Sequence, residues 1–251
     1  VQAASNGDNP IMSVKPTLKL QWPGDLVNQV LTGDARHLGK AIPRNSVDLV
    51  MCDPPYLKAD LPIYSWLSRF AYRVLKPGGY LFVYGGMEHL PTILSRLTES
   101  RLHWFWLDTL SHADGTPSIY SKHLYSVTKP LVVMTKGKPT RLPWRRTLHS
   151  DHMDKRFHEW GQGIGVPHKL ILLLTDPGDI VCDPFCGGGT VAAACSLSGR
   201  QYVTFEADPF TAEQARIRLG WIQYPLQPPD LKAEQPALFR DNPDPQQANG
   251  D

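Results

Sequence analysis

The sequence predicts an α/β fold with a mainly parallel sheet. Three observations carry that prediction. Short apolar runs alternate with stretches of helical period, residues 47–97 read as a repeated strand-helix unit, and residues 179–206 read as strand, glycine-rich loop, helix and strand.

The elements follow in order. Val47–Cys52 (VDLVMC) is a run of buried-strand type that ends at Asp53. Ile63, Trp66, Leu67, Phe70, Ala71, Val74 and Leu75 then fall on one helical face. Lys76-Pro77-Gly78-Gly79 closes that helix, because Pro and Gly do not continue one. Residues 80–84 (YLFVY) form the next strand, and Leu90, Ile93, Leu94 and Leu97 mark a helix behind it. Near the other end, residues 179–182 (DIVC) are a strand, 183–189 (DPFCGGG) a glycine-rich loop and 190–197 (TVAAACSL) a helix of small residues. A strand over 201–205 (QYVTF) then ends at Glu206. Residues 108–160 lack clean periodicity apart from a strand at 131–135 (LVVMT), and they read as an inserted recognition region.

A chain of 251 residues suffices for one domain with a full core, and seven Trp, nine Tyr and eight Phe supply the material, which excludes wholesale disorder. The expected layout is a folded domain over 17–224 between flexible tails at 1–16 and 225–251, the second rich in Pro, Gln and Asp. No stretch approaches a membrane span and no charged-then-apolar leader is visible, so a cytoplasmic protein is expected. Cys52, Cys182, Cys186 and Cys195 form no C-x-x-C pair and read as buried reduced thiols, and no spacing suggests a metal site. The formal net charge of +2 neither demands nor excludes a polyanionic partner.

Two loops carry chemistry. Asp183-Pro184-Phe185-Cys186-Gly187-Gly188-Gly189-Thr190 lies between a strand and a helix, where glycines let a ligand approach the backbone. An acid at the end of the next strand, Glu206, stands where it can hold two ribose hydroxyls. Neither G-x-G-x-x-G nor G-K-[ST] is present, so an adenosine-bearing ligand without a pyrophosphate fits best. The second loop is Asp53-Pro54-Pro55-Tyr56. An amine conjugated to a base ring is a poor nucleophile, and acceptors for its hydrogens raise its reactivity. The Asp53 carboxylate and the Pro54 carbonyl are such acceptors, two prolines stiffen the turn, and Tyr56 offers a face for stacking a planar ring.

Together, D-P-P-Y and D-P-F-x-G-x-G-T resemble the catalytic and cofactor motifs of the S-adenosylmethionine-dependent amino-methyltransferases that act on DNA. The catalytic motif comes first, with a recognition region between the two, which is the permuted order of the β class. The resemblance covers roughly residues 26 to 220. It implies a Rossmann-like, seven-stranded, mostly parallel sheet with helices on both faces and both loops at the carboxyl ends of the strands. It places S-adenosylmethionine against Asp183, Phe185, Cys186, Gly187, Gly189 and Thr190, with Glu206 on the ribose, Asp34 near the adenine and Asp53 adjoining. A helix N-cap is an equally good reading of Asp34. Asp53, Pro54, Pro55 and Tyr56 form the catalytic set, and the stretch from Lys129-Pro130 to Lys136-Gly137-Lys138 resembles the strand that closes the target-base pocket. Glu159-Trp160-Gly161-Gln162 departs from the family's Gln-Lys-Pro, so the resemblance assigns Trp160 and Gln162 no role at the methionine end of the cofactor.

The implied activity is methyl transfer to the exocyclic amine of a base flipped out of double-stranded DNA. Adenine N6 is favoured because the cytosine N4 enzymes more often carry Ser-Pro-Pro where Asp53-Pro54-Pro55 stands. The alternatives are a cytosine N4 enzyme, an RNA or protein-amide methyltransferase, and a DNA-binding module that retains the cofactor fold without catalysis. Lys136, Lys138, Arg141, Arg145 and Arg146, with Trp144 among them, form a basic stretch suited to DNA contact. Gln235-Pro236-Ala237-Leu238-Phe239 resembles the short Gln-x-x-Leu-Phe peptides that dock on the bacterial sliding clamp. A monomer or a homodimer is expected.

Overall fold

The protein is seen in a computed structural model that describes residues 20–112, 118–119, 122–152, 156 and 163–221. The first half contributes β1 (Gln29–Thr32), α1 (Ala35–Leu38), β2 (Val47–Cys52), α2 (Pro62–Val74), β3 (Leu75–Tyr84) and α3 (Leu90–Leu97). The middle contributes β4 (His103–His112), β5 (Ser118–Ile119), β6 (Leu124–Tyr125), β7 (Thr128–Thr135) and β8 (Leu148–Asp151). The last part adds α4 (Gly165–Leu174), β9 (Ile180–Asp183), α5 (Thr190–Ser198), β10 (Gln201–Glu206) and α6 (Pro209–Trp221).

The expected α/β sheet is present, with strand order β1-β10-β9-β2-β3-β7-β4-β8. Strands β1, β10, β9, β2 and β3 run parallel, and β7 lies antiparallel to both β3 and β4. Alternating side chains of the central strands feed two cores. Val50, Cys52, Leu81, Val83, Val132 and Met134 pack with Leu67, Phe70 and Val74 of α2 and with Ile93 and Leu97 of α3. Leu49, Met51, Phe82, Tyr84, Leu131 and Val133 pack with Leu170 and Ile171 of α4 and with Val191 and Ala194 of α5. Burial on both faces is why these strands read as continuous apolar runs.

Two expectations are corrected. The described sheet has eight strands rather than seven, and much of region 108–160 belongs to it, as all of β7 and β8 and half of β4. The pattern of β4 is hidden by a register shift between Trp104 and Trp106, both of which face outward, and by a buried charge at Asp108. β8 (LHSD) shows no apolar alternation because it holds its place at the sheet edge by backbone pairing with residues 109–112. Lys76-Pro77-Gly78-Gly79 follows the helix as the first part of the next strand: α2 ends at Val74 and β3 begins at Leu75, with Gly78 in the left-handed region (φ +83°) donating its N–H to the Lys136 carbonyl at 2.7 Å. All four cysteines are buried and free, as expected. Among the described residues no helix is long and apolar enough to cross a membrane.

Candidate active site

Sheet topology brings the two loops together. After β2 the chain moves one way along the sheet to β3, and after β9 it moves the other way to β10, so the order reverses between neighbouring strands β2 and β9. Their following helices, α2 and α5, pack on opposite faces. The loops therefore diverge and leave a crevice beyond the carboxyl ends, which is where open α/β sheets bind ligands. Asp53, Asp183, Glu206 and the Gly33-Asp34 turn stand side by side along this rim, at the ends of β2, β9, β10 and β1.

The glycine-rich loop is held from several sides. Glu206 accepts the Gly187 N–H at 2.9 Å on one carboxylate oxygen and the Asp208 N–H at 3.0 Å on the other. Gly187 (φ +50°) has open space where a side chain would project, so a ligand can approach its backbone. Gly189 (φ +76°) packs against α6, where a Cβ would lie 3.1 Å from that of Ala215. Arg218 of α6, almost fully buried, donates to the Gly188 carbonyl at 3.1 Å and to the Thr190 hydroxyl at 2.9 Å. The Phe185 ring meets Trp66 of α2 edge-on at 6.0 Å, and the Cys186 thiol is buried beneath the loop with its pKa raised by desolvation. Sequence reasoning misses Arg218 and Trp66 as site residues, because each reaches the loop from a helix distant in sequence.

The Asp183 carboxyl is buried and accepts the Phe185 N–H at 3.0 Å. Burial is the main cause that pushes its pKa up to about 8, with Asp53 and Glu206 adding to the rise and the Phe185 N–H opposing it. Folding thus raises this group above its ordinary value. The stability it contributes is fully present below about pH 4 and is lost as pH rises through about 8. In the cofactor-free protein the denaturation midpoint should fall over this window, and Asp183→Asn should flatten that fall. A wild-type midpoint with the same pH dependence as the variant's would refute the assignment.

Asp34 caps α1: its carboxylate accepts the Arg36 N–H at 2.7 Å and pairs with the Arg36 guanidinium at 2.6 Å, whose hydrogen bonds hold its pKa down. The N-cap reading therefore holds, and the capping turn lies on the rim next to Glu206, whose carbonyl accepts the Gly33 N–H at 2.7 Å.

Asp53, Pro54, Pro55 and Tyr56 follow β2 directly. The Tyr56 hydroxyl donates to one Asp53 carboxylate oxygen, and the Lys129 ammonium donates to the other at 2.7 Å. Lys129, at the start of β7, also lies 4.6 Å from the Tyr56 ring centre and 4.8 Å from that of Tyr84 at the end of β3. Burial lowers the Lys129 pKa, and Asp53 acts against that fall. The Tyr84 hydroxyl is buried without a hydrogen-bond partner among the described residues.

The basic stretch does not gather at this rim. Because β7 is antiparallel to its neighbours, Lys136, Lys138 and Arg141 lie beyond its far end, at the amino ends of β2 and β3. Lys136 donates to the Asn45 side chain at 2.5 Å and to the Leu75 carbonyl at 2.6 Å, and Arg141 pairs with Asp176. Arg145 is an internal group: it pairs with the fully buried Asp108, to which His149 also bonds at 3.0 Å, and stacks over Phe82. Trp144 and Arg146 are exposed in the segment leading to edge strand β8. Of the expected DNA-contact set, Lys136 and Arg145 are engaged within the fold and Lys138 and Arg141 lie at the rim opposite Asp53. Trp160, Gln162, Gln235, Leu238 and Phe239 lie outside the described residues.

The cleft fits its implied cofactor. The Asp53 and Glu206 carboxyl groups make it an acidic site suited to a ligand that carries a sulfonium and an ammonium, and the open space over Gly187 admits it. Comparison with known proteins agrees. Residues 144–216 match the family model N6_N4_Mtase, described as DNA methylase, a span that contains the glycine-rich loop and Glu206 but not Asp53. Type II methyltransferase M.BamHI of Bacillus amyloliquefaciens is 27% identical over 80% of this chain. The chain spans only 58% of that relative's length. DNA adenine methyltransferase YhdJ of Escherichia coli (strain K12) is 25% identical over 73% of this chain and 79% of its own. The fold is shared with TTHA0409 of Thermus thermophilus, solved in complex with S-adenosyl-L-methionine (TM-score 0.65, 21% identity, 77% of this chain and 93% of that one). The family match over 144–216, the two motifs in β-class order and the shared fold agree, and the chain is similar to the S-adenosylmethionine-dependent N6/N4 amino-methyltransferases among the DNA methylases.

Proposed function

We propose that this chain methylates the exocyclic amine of a base in double-stranded DNA, with adenine N6 as the target. The observation that carries the reading is the meeting of the Asp53 loop and the acidic glycine-rich cleft across strands β2 and β9. Asp53 favours adenine over cytosine N4, and the relative YhdJ is named as an adenine enzyme.

The cofactor supplies an electrophilic methyl on its sulfonium. The chain's own residues do the rest. The target base leaves the stack and enters the cleft, and a face against Tyr56 offsets part of the unstacking cost. The Asp53 carboxylate and the Pro54 carbonyl accept the amine's two hydrogens. That orients the nitrogen lone pair toward the methyl and stabilises the positive charge that develops on nitrogen as the N–C bond forms. The nitrogen then loses one proton, which the Asp53 carboxylate is placed to accept.

DNA approaches this reading's active site from the carboxyl rim. The connection from β4 to β7 leaves the sheet on that side, and its hairpin β5-β6 presents Lys122, His123 and Tyr125 to solvent, Lys122 within 3.6 Å of Glu88. The tail peptide Gln235-Pro236-Ala237-Leu238-Phe239 remains our proposed anchor for a sliding clamp. Clamp capture should be lost in Leu238→Ala/Phe239→Ala, and equal capture by both proteins would rule the anchor out.

The deciding experiment incubates the protein with labelled S-adenosylmethionine and unmethylated bacterial genomic DNA and identifies the product nucleoside by mass spectrometry. N6-methyladenine is the expected product. N4-methylcytosine would keep the mechanism and correct the base, and label in RNA or protein alone would overturn the substrate.

A further inference from the structure

We propose that Lys129 is a positioning residue for this reaction: its ammonium is a counter-ion that favours the charged Asp53 carboxylate and aims it into the cleft before a base enters. The inference rests on the functional reading above only for its consequence, since the contact itself belongs to the protein without DNA.

Three observations support it. Lys129 reaches Asp53 from another strand, 76 residues away, and places its Nζ 2.7 Å from one carboxylate oxygen. The side chain is 12% exposed and its ammonium lies over two aromatic faces, Tyr56 and Tyr84, so the cation is held by both rings as well as by the acid. Several groups that face Asp53 feel its negative charge and are held in their neutral forms by it. From its own loop Tyr56 faces it, from β2 Cys52, from β3 Tyr84, from α2 Tyr64 and from β9 Asp183, and the pKa of each of these groups is raised in part by Asp53. Asp183 in turn feels Glu206. At this partly buried position the Tyr56 hydroxyl donates to one carboxylate oxygen and the Lys129 ammonium to the other, and the contact with a cation favours the charged form directly. An ionised Asp53 is the stronger acceptor for an amine hydrogen and the form able to take up a proton, so the lysine acts on the chemistry through the aspartate.

The test reads Asp53 directly. Protein carrying 13C-labelled aspartate carboxyls, with the Asp53 signal assigned by its loss in Asp53→Asn, is titrated by NMR without cofactor or DNA. In Lys129→Met the Asp53 carboxyl should titrate at least about one pH unit higher than in wild type, a tenfold change in its protonation equilibrium. Lys129→Gln is the second neutral variant should the Met protein fail to fold, and Lys129→Arg should keep the wild-type titration. The acidic limb of the pH profile of kcat/KM, which reports the free enzyme, should move upward in the neutral variants by the same amount, with activity recovering at higher pH. A merely structural lysine would lower activity at every pH without moving the limb. Asp53 titrating alike in wild type and neutral variants, or a neutral variant that is faster with an unmoved limb, would overturn the proposal. The second result would mark Lys129 as an obstacle that the base displaces. Absence of methyl transfer by the wild-type protein would count against the proposed function alone, because the NMR titration decides Lys129 without it.

Discussion

Asp53→Ala is expected to lower methyl transfer by roughly 10³-fold or more while leaving S-adenosylmethionine affinity close to that of wild type. The carboxylate lies on the loop after β2, whereas the glycine-rich loop and its supports, Glu206, Arg218 and Trp66, belong to β10, α6 and α2. Removing Asp53 takes away an acceptor for the target amine and the partner of Lys129, and leaves that loop's hydrogen bonds in place. Single-turnover transfer with saturating cofactor, set beside calorimetric cofactor binding, separates the two effects. Transfer near the wild-type rate would remove Asp53 from the mechanism, and a parallel collapse of cofactor binding would move its role to the cofactor. Asp53→Asn keeps an acceptor oxygen without the charge and should fall between the two.

Arg145→Ala is expected to destabilise the fold by about 3–5 kcal/mol, since truncating one partner of a buried pair leaves the other charge uncompensated. Asp108 has a side chain with no exposure, and its second carboxylate oxygen has no hydrogen-bond partner among the described residues, so Arg145 and His149 carry its compensation through one oxygen. For a protein of this size the loss corresponds to a fall in Tm of roughly 6–20 °C. Arg146→Ala, at an exposed neighbour, should stay within about 0.5 kcal/mol of wild type. Thermal denaturation of the two variants side by side checks the pair. Equal stability would place Arg145 back among the outward basic residues, whereas a large difference means that any loss of DNA binding in Arg145→Ala is secondary to unfolding.

The elements legible in the sequence are those whose signal is local. VDLVMC, YLFVY, DIVC and QYVTF are strands because both of their faces are covered, which writes burial into consecutive residues. The helix with Leu67, Phe70, Ala71 and Val74 on one face packs as its spacing implies. Of the candidate site, the Asp53 loop and the Asp183 loop are readable because each packs its chemistry into four to eight consecutive residues. The basic run 136–146 misleads for the same reason: charge clustered in sequence is divided in space when a strand reverses direction, and a lysine and an arginine of the run turn inward to Asn45 and Asp108.

By itself, then, the sequence determined the α/β class, the two chemical loops and their permuted order, because these depend on residues that are neighbours along the chain. Tertiary structure alone decided what faces what. Lys129 meets Asp53 across 76 residues, Arg145 meets Asp108 across 37, and Arg218 clamps Gly188 across 30. Each of these contacts is set by strand register and helix packing, in which a shift of one residue turns a side chain to the other face, so no local pattern encodes them.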